Sequence, residues 1–425
     1  MAYPGVRNVC LRCRPCFESI DPRSFKVSGA LKLRLQRGPV EAKDYQAPEA
    51  GRILRTAGGY HAFVPAPLPP ILHYTPALIR LLSSADAALG ELSGLGSLLP
   101  DPRLLIAPYV RREAVLSSRI EGTRTSLSDL LADEAGRDAT AAPDDVREVR
   151  NYVTALDYGI ERLQTLPLSL RLVRELHQRL MHAVRGERAT PGEFRRSQNW
   201  IGPHGSTPAN APYVPPPPQE MHEALAAWEQ FLHRRDELPD LVQCALMHEH
   251  FEAIHPFLDG NGRVGRLLIP LFLIERGRLS QPLLYLSEFI ERHRDDYYRG
   301  LMRIRTHGDW NGWLHYFLAG VEWSARRAVR QARQLLALRE DMRAAVAANP
   351  RALALVDPLF GNPYLDAGRV KRLLGVSDPT ARKALAALER AGLIEETTGR
   401  SWGRQYLARG VLAAVEDPGE ERLPE

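Results

Sequence analysis

Apolar positions recur at three- and four-residue spacing over most of this chain, the period of helices that bury one face. The pattern predicts helices over residues 76–89, 103–121, 146–163, 169–182, 219–234 and 239–254, with a short one at 129–133. Three more follow at 265–276, 287–306 and 310–349. Residues 239–254 are apolar nearly all round (Leu241, Val242, Ala245, Leu246, Phe251, Ile254), and residues 267–274 read LLIPLFLI. Both segments are therefore expected to be buried.

The rhythm fails in several places. Residues 1–50 mix Arg, Pro and Cys without period and read as a poorly ordered leader with a short strand near its end. Residues 64–70 (VPAPLPP) must be extended. Residues 138–145 are charged, contain Pro, and read as a connection. Residues 198–218 hold Gly202, Gly205, Pro208 and Pro212, close on Pro215 to Pro218, and read as a loop or short hairpin. Residues 325–348 are charged and Ala-rich, the pattern of a helical spacer. Residues 361–408 read helix, turn, helix (378–391), then two short strands around residues 399–403. The divisions predict a leader (1–50), an N-terminal region (51–137), a core (138–324), a helical linker (325–350) and a small domain with tail (351–425).

At 425 residues the chain is too long for one ordinary core, and 44% hydrophobic residues is the level of a soluble globular protein. No run of about eighteen apolar residues appears, and the first thirty residues lack the apolar centre of a signal peptide. A cytoplasmic protein without a membrane span is expected. A net charge of +5 permits phosphate or nucleic-acid binding without requiring it. Four cysteines are too few for a disulfide scaffold; Cys10, Cys13 and Cys16 cluster, but no fourth ligand stands nearby to complete a zinc site.

Between the two apolar segments lies a polar one: His255, Pro256, Phe257, Leu258, Asp259, Gly260, Asn261, Gly262, Arg263, Val264, Gly265, Arg266. Polar groups between buried helices need partners or cost several kcal/mol. Glycines let backbone N–H groups converge, and the following helix adds its positive end, so the segment is an anion site. Arg263 and Arg266 lie three apart, where forked donors can grip phosphate oxygens. Asp259 offers a carboxylate suited to Mg²⁺, and His255 can take a proton at neutral pH. No Gly-Lys-Ser/Thr is present, so this is not a P-loop, and Arg263 at a ligand position excludes a calcium loop.

This segment resembles the signature of the Fic family, HxFx(D/E)GNGRxxR, with every defining position filled. The resemblance extends over about residues 55–410, including Phe63 to Pro70 and Pro108 to Arg112. It implies a mainly α fold, with a helical core and a β-hairpin flap. It also implies transfer of AMP from ATP to a Tyr, Ser or Thr hydroxyl of a target protein, with pyrophosphate leaving. In that reading His255 deprotonates the hydroxyl, Phe257 packs beneath the loop and Asp259 holds Mg²⁺ between the α- and β-phosphates. Asn261 and the amides of Gly260 and Gly262 cradle phosphate oxygens, Arg263 faces the β-phosphate and Arg266 the γ-phosphate, with Val264 and Gly265 completing the nucleotide-binding stretch.

Upstream, Ser117, Ser118, Arg119, Ile120, Glu121 and Gly122 end a helical pattern. A glutamate there opposes the helix dipole and needs a cationic partner. The segment resembles the family's inhibitory motif, (S/T)xxxE(G/N), which implies that Glu121 pairs with Arg266 in the place of the γ-phosphate. Residues 198–202 (Gln198, Asn199, Trp200, Ile201, Gly202) and 213–218 resemble the flap, where Ile201 and Gly202 would align the target. Tyr298 falls where relatives contact adenine. His248, Glu252 and His255 share a helix face, but the order departs from HExxH, so a polar cluster supporting His255 is expected in place of zinc.

Residues 361–410 carry nine Lys/Arg and five Asp/Glu. They resemble a winged helix-turn-helix, with Asp378 as cap, Thr380, Arg382 and Lys383 in the first turn of the second helix, and Arg400 and Arg404 beside the wing. Such a module serves DNA binding or protein interaction, so DNA and a homodimer both stay open as partners. Two alternatives to forward transfer also stay open: a nucleotide-sensing DNA-binding regulator, and a reversal enzyme in which Glu121 orients a water.

Overall fold

The computed structural model describes residues 42–98, 102–136, 143–184, 190–203 and 205–416. The Cys10, Cys13 and Cys16 cluster, nearly all of the leader and most of the 138–145 connection lie outside the described residues. After a short 3-10 turn (Ala42–Asp44), β1 (Gly51–Arg55) and β2 (His61–Pro65) form an antiparallel hairpin in the register Gly51 to Pro65. The sequence reading expected extended chain here but no hairpin, although Gly58-Gly59 at the turn is a strong hairpin signal.

Helices then dominate. α1 (Pro76–Leu98), α2 (Pro102–Ile120) and α3 (Leu127–Glu134) precede α4 (Pro143–Arg162), α5 (Leu170–Leu180) and α6 (Pro218–Leu232). α3 opens with a capping box in which Ser126 and Asp129 satisfy each other's backbone N–H groups. The centre is α7 (Asp240–Ile254) and α8 (Asn261–Glu275) packed together. Every residue of α7 from Leu241 to Ile254 is buried, as its apolar pattern predicts. Indole N–H groups close this core: Trp228 donates to the Met247 carbonyl (3.0 Å) and Trp313 to the Ala245 carbonyl (2.9 Å).

Around this centre stand α9 (Ser287–Arg292), α10 (Arg294–His307) and α11 (Trp310–Ala345). The single helix expected over residues 287–306 is two, broken at His293 (φ −118°, ψ 39°), with no proline or glycine there to announce the break. α11 is not the spacer its composition suggests. Ala325, Ala328, Val329, Ala332 and Leu335 are buried, and the helix packs against α1 and against elements near the chain's end, so most of its charges lie on the outer face, while the buried Arg327 pairs with Glu288 (3.0 Å).

The chain ends with α12 (Pro350–Gly361), β3 (Tyr364–Asp366), α13 (Ala367–Leu374), α14 (Asp378–Arg390), β4 (Glu395–Glu396), β5 (Gln405–Leu407) and α15 (Arg409–Glu416). The sheet is antiparallel in the order β3-β5-β4. The sequence reading found α13, α14 and the two last strands but missed α12, β3 and α15. Asp378 is not the cap of α14: Ser377 holds that position, and Asp378 lies in the first turn, paired with Lys371 at 2.7 Å. Three contacts tie the C-terminal elements to the rest: Asn362 donates to the Leu131 carbonyl (2.9 Å), the Tyr364 and Ser128 hydroxyls meet at 2.7 Å, and Gln331 donates to the carbonyls of Ala414 and Val415.

Among the described residues no helix is long and apolar enough to cross a membrane.

Candidate active site

The polar segment joins α7 to α8 through two left-handed residues. His255, the C-cap of α7, has φ 49° and ψ 62°; Gly260, the N-cap of α8, has φ 78°. The glycine takes this conformation freely, whereas a histidine held there is constrained by its surroundings. α8 starts at Asn261, four residues before the predicted start, so Asn261, Gly262 and Arg263 lie in its first turn with their N–H groups at the positive helix end, and the Val264 N–H donates to the Gly260 carbonyl (3.0 Å).

The loop is clamped from below. The Asn261 amide donates to the Phe257 carbonyl (2.8 Å) and accepts from the Phe257 N–H (2.8 Å), so its side chain closes the turn. Phe257 is fully buried and stacks on His177, ring centroids 3.7 Å apart. Gly192 N–H donates to His177 Nδ1 (2.8 Å), so the imidazole proton resides on Nε2, which donates to the Asp259 carbonyl (3.0 Å). Burial depresses the His177 pKa to about 4, and the ring is neutral.

Two guanidinium groups line the start of α8. Arg266 is buried; it donates through Nε to Ser117 Oγ (2.8 Å) and through Nη2 to the Ser117 carbonyl (2.9 Å) and Glu121 Oε1 (2.7 Å). Burial by itself raises the Glu121 carboxyl, but the charge and hydrogen bond of Arg266 outweigh it and hold Glu121 below the usual carboxylate range. Glu121 follows the last residue of α2, and Gly122 (φ 102°) turns the chain away. A methyl group on Gly262 would collide with Glu121 Oε1 and stand 3.0 Å from Arg266 Nη1. The carboxylate therefore occupies the concave space over the first turn of α8, and only glycine leaves room for it. Arg263, also buried, reaches Glu148 (3.4 Å) and stands 3.8 Å from Asp259. The Asp259 side chain is half exposed at the mouth and accepts from Gly260 N–H (2.6 Å).

His255 Nδ1 is buried, has no hydrogen-bond partner among the described residues, and lies 3.9 Å from Glu252 Oε2. Burial, then the charges of Arg195 and Arg305, depress the imidazole to about 3, so it is a neutral proton acceptor. Burial raises the Glu252 carboxyl to about 7, partly opposed by Arg266. Gly265 admits this acid, since a side chain there would stand 2.5 Å from Glu252 Oε1. His248 donates from Nδ1 to the Gly265 carbonyl (3.1 Å) and accepts from the Tyr297 hydroxyl (2.9 Å), so both ring nitrogens are used. Among the described residues no cluster of three or more His, Cys, Asp or Glu is arranged to hold a metal.

The 198–218 segment is narrower than the expected β-hairpin: it holds one antiparallel bridge, Ile201 to Tyr213, with Ile201 N–H donating to the Tyr213 carbonyl (2.9 Å). Prolines at 212 and 215–218 lack the N–H groups that would extend the ladder. Ile201 is half-buried and Gly202 exposed. Tyr298, half-buried on α10, stands edge-on to Tyr297 with Arg294 5.8 Å from its ring centroid.

The sequence reading assigned no role to the residues that hold this segment to the loop. Arg195 is fully buried and has no acidic partner among the described residues; it donates to the carbonyls of His255 (3.0 Å), Ser197 (3.2 Å) and Pro216. Asn199 donates to the carbonyls of His255 (3.1 Å) and Phe257 (2.8 Å). These contacts gather the backbone around His255 and account for its constrained conformation. Glu113, also unforeseen, is buried behind the site and accepts from Tyr152 (3.1 Å) and Ser287 (2.5 Å). Nothing in an Arg-Arg pair or a helical glutamate marks such residues as buried.

The comparisons with known proteins agree with this arrangement. Residues 79–161 match the family model described as Fic/DOC family N-terminal, and residues 167–273 match the one described as Fic/DOC family. The curated proteins named Protein adenylyltransferase Fic from Drosophila grimshawi and Drosophila virilis are each 29% identical over 169 residues, which is 39% of this chain and 31% of theirs. This chain thus matches about a third of the length of those relatives. The crystal structure of a Fic family protein from Desulfovibrio desulfuricans superimposes with a TM-score of 0.54 at 23% identity, covering 80% of this chain and 98% of that one, and shows the shared fold. Residues 79–161 and 167–273 of this chain thus form the two regions that the Fic/DOC family models describe, on a fold shared with a Fic family protein.

Proposed function

We propose that this chain transfers AMP from ATP to a hydroxyl side chain of a target protein, and that Glu121 restrains it. The observation that carries the reading is the Glu121 carboxylate seated over Gly262 and bonded to Arg266 at 2.7 Å. A site built to hold an anion at the start of α8 supports a triphosphate as the natural occupant, with the acid as its competitor. The names of the relatives, Protein adenylyltransferase Fic, support AMP as the transferred group.

With Glu121 withdrawn, Arg266 keeps its Ser117 contacts and presents its freed donor to the terminal phosphate. Arg263 and the N–H groups of the first turn of α8 bind the neighbouring phosphate oxygens. The half-exposed Asp259 carboxylate fits Mg²⁺, which binds through one or two carboxylates and keeps waters, so one protein ligand suffices. Bound there, the ion would neutralise charge on the phosphates. Neutral His255 accepts the proton as the target oxygen forms its bond to the α-phosphorus and the bond to pyrophosphate breaks. The exposed chain beside Ile201 offers backbone groups for strand-like pairing with the target.

The test is mass spectrometry of protein co-expressed with the Glu121→Gly variant, beside a Glu121→Gly/His255→Ala control. One AMP on a Tyr, Ser or Thr of target or enzyme, absent from the control, is expected. Absence of any adduct, together with release of AMP from pre-modified protein by the wild-type chain, would replace forward transfer by reversal.

A further inference from the structure

The face of α14 that looks away from the protein is basic. Ala381, Ala384, Leu385 and Leu388 are buried, which leaves Pro379, Arg382, Lys383, Ala386 and Arg390 as an exposed stripe. The stripe is about 16 Å long at 1.5 Å per residue. Residues 397–404, between β4 and β5, form a wing beside it. Arg400, Trp402 and Arg404 are exposed there, Trp402 to 76%. The Arg382 guanidinium lies 5.4 Å from the Trp402 ring centroid, so helix and wing form one surface. Two acids belong to the neighbourhood: Asp378, already paired with Lys371 and Arg382, and Glu389 at the far end of the helix. At the base of the wing, the Glu396 carboxylate is taken up by Thr398 and Gly399. Among the described residues Lys383, Arg390, Arg400 and Arg404 have no acidic partner. The opposite side of the module is committed to packing, through α12 against α2 and through Asn362 and Tyr364 against α3.

We propose that this α14 and wing surface binds duplex DNA. A helix enters a major groove about 12 Å wide, and the small Ala386 between cations permits close approach. Lys383 and Arg390 along the helix, and Arg400 and Arg404 on the wing, then meet phosphates on the groove's walls. The exposed indole offers apolar contact at the duplex edge. A protein partner would have to bring a separate acid to each of these cations, whereas a duplex presents regularly spaced phosphates on both walls of one groove. The proposal does not depend on the chemistry at the α7–α8 loop.

The experiment is fluorescence anisotropy of the full chain with a labelled 30-base-pair duplex of mixed sequence, from 50 to 200 mM salt. Wild type is expected to bind with an affinity that falls as salt rises. The Lys383→Ala/Arg400→Ala double variant, both sites being exposed and outside the core, is expected to bind at least tenfold more weakly. Its log–log salt slope should be shallower by about 2, since each lost phosphate contact removes about 0.9. No binding at 50 mM salt, or wild-type binding by a double variant of unchanged melting temperature, would overturn the proposal. So would displacement of the duplex by a second copy of the chain.

Discussion

Replacing Glu121 by Gly should tighten binding of Mg²⁺-ATP by about 10- to 30-fold. The contact removed is a charge-assisted hydrogen bond of 2.7 Å to an Arg266 side chain that is 3% exposed. Such bonds are worth about 1.5–3 kcal/mol net. The Glu121 end is 36% exposed and partly screened, which places this pair toward the lower end, about 1.5–2 kcal/mol. At about 1.4 kcal/mol per tenfold, relief of the competing carboxylate gives the stated gain. Arg266 stays oriented through Ser117 Oγ and the Ser117 carbonyl, so the donor is not lost with the competitor. Glycine at 121 lies beyond the last residue of α2, where its cost to the helix is small. The assay is titration calorimetry with a non-hydrolysable ATP analogue and Mg²⁺ on both proteins. Affinities equal within twofold, at unchanged melting temperature, would show that Glu121 does not compete with the triphosphate.

Further outcomes follow from the same geometry. The His255 ring, depressed to about 3, should remain neutral in NMR titration from pH 8 to pH 5; a midpoint near 6.5 would contradict its burial beside Arg195 and Arg305. Since the unfolded imidazole protonates near 6.5 and the folded one does not, this group leaves stability unchanged above that pH and costs stability as pH falls from 6.5 toward 3. Phe257→Ala, which empties the stack on His177, should lower unfolding free energy by about 3–5 kcal/mol in denaturant titration. Arg195→Ala removes a donor from three carbonyls, among them that of His255, which keeps only Asn199; the Glu121→Gly/Arg195→Ala protein should lose transfer rate more than nucleotide affinity, and equal losses in both would count against a role in holding His255.

What the chain reveals before folding follows from where its information is local. Periodicity located the buried α7 because Leu241, Val242, Ala245, Leu246, Phe251 and Ile254 cover nearly all its sides, although Gln243, His248, Glu249, His250 and Glu252 are buried among them. It placed the start of α8 four residues late, because the polar, glycine-bearing stretch up to Val264 reads as a loop. In the structure Gly262 and Gly265 are the positions where Glu121 and Glu252 need space, and Gly260 supplies the left-handed turn. The 255–266 chemistry was legible since proton acceptor, carboxylate and guanidinium groups fall within twelve residues. Pairing of Glu121 with Arg266, 145 residues apart, was accessible only through the family resemblance. Arg195, Asn199 and Glu113 stayed hidden because each acts through distant partners. The α11 surface misled the spacer reading, because a long helix packed along one face still displays its charges on the other.

Incubation of purified Glu121→Gly protein with ATP labelled at the α-phosphate, beside ATP labelled at the γ-phosphate, bears most directly on what the loop between α7 and α8 does. The account predicts protein-bound α label, unlabelled protein in the γ arm with its label released in pyrophosphate, and neither signal when His255 is replaced by Ala. Protein that retains the γ label, or α label that persists without His255, would contradict it.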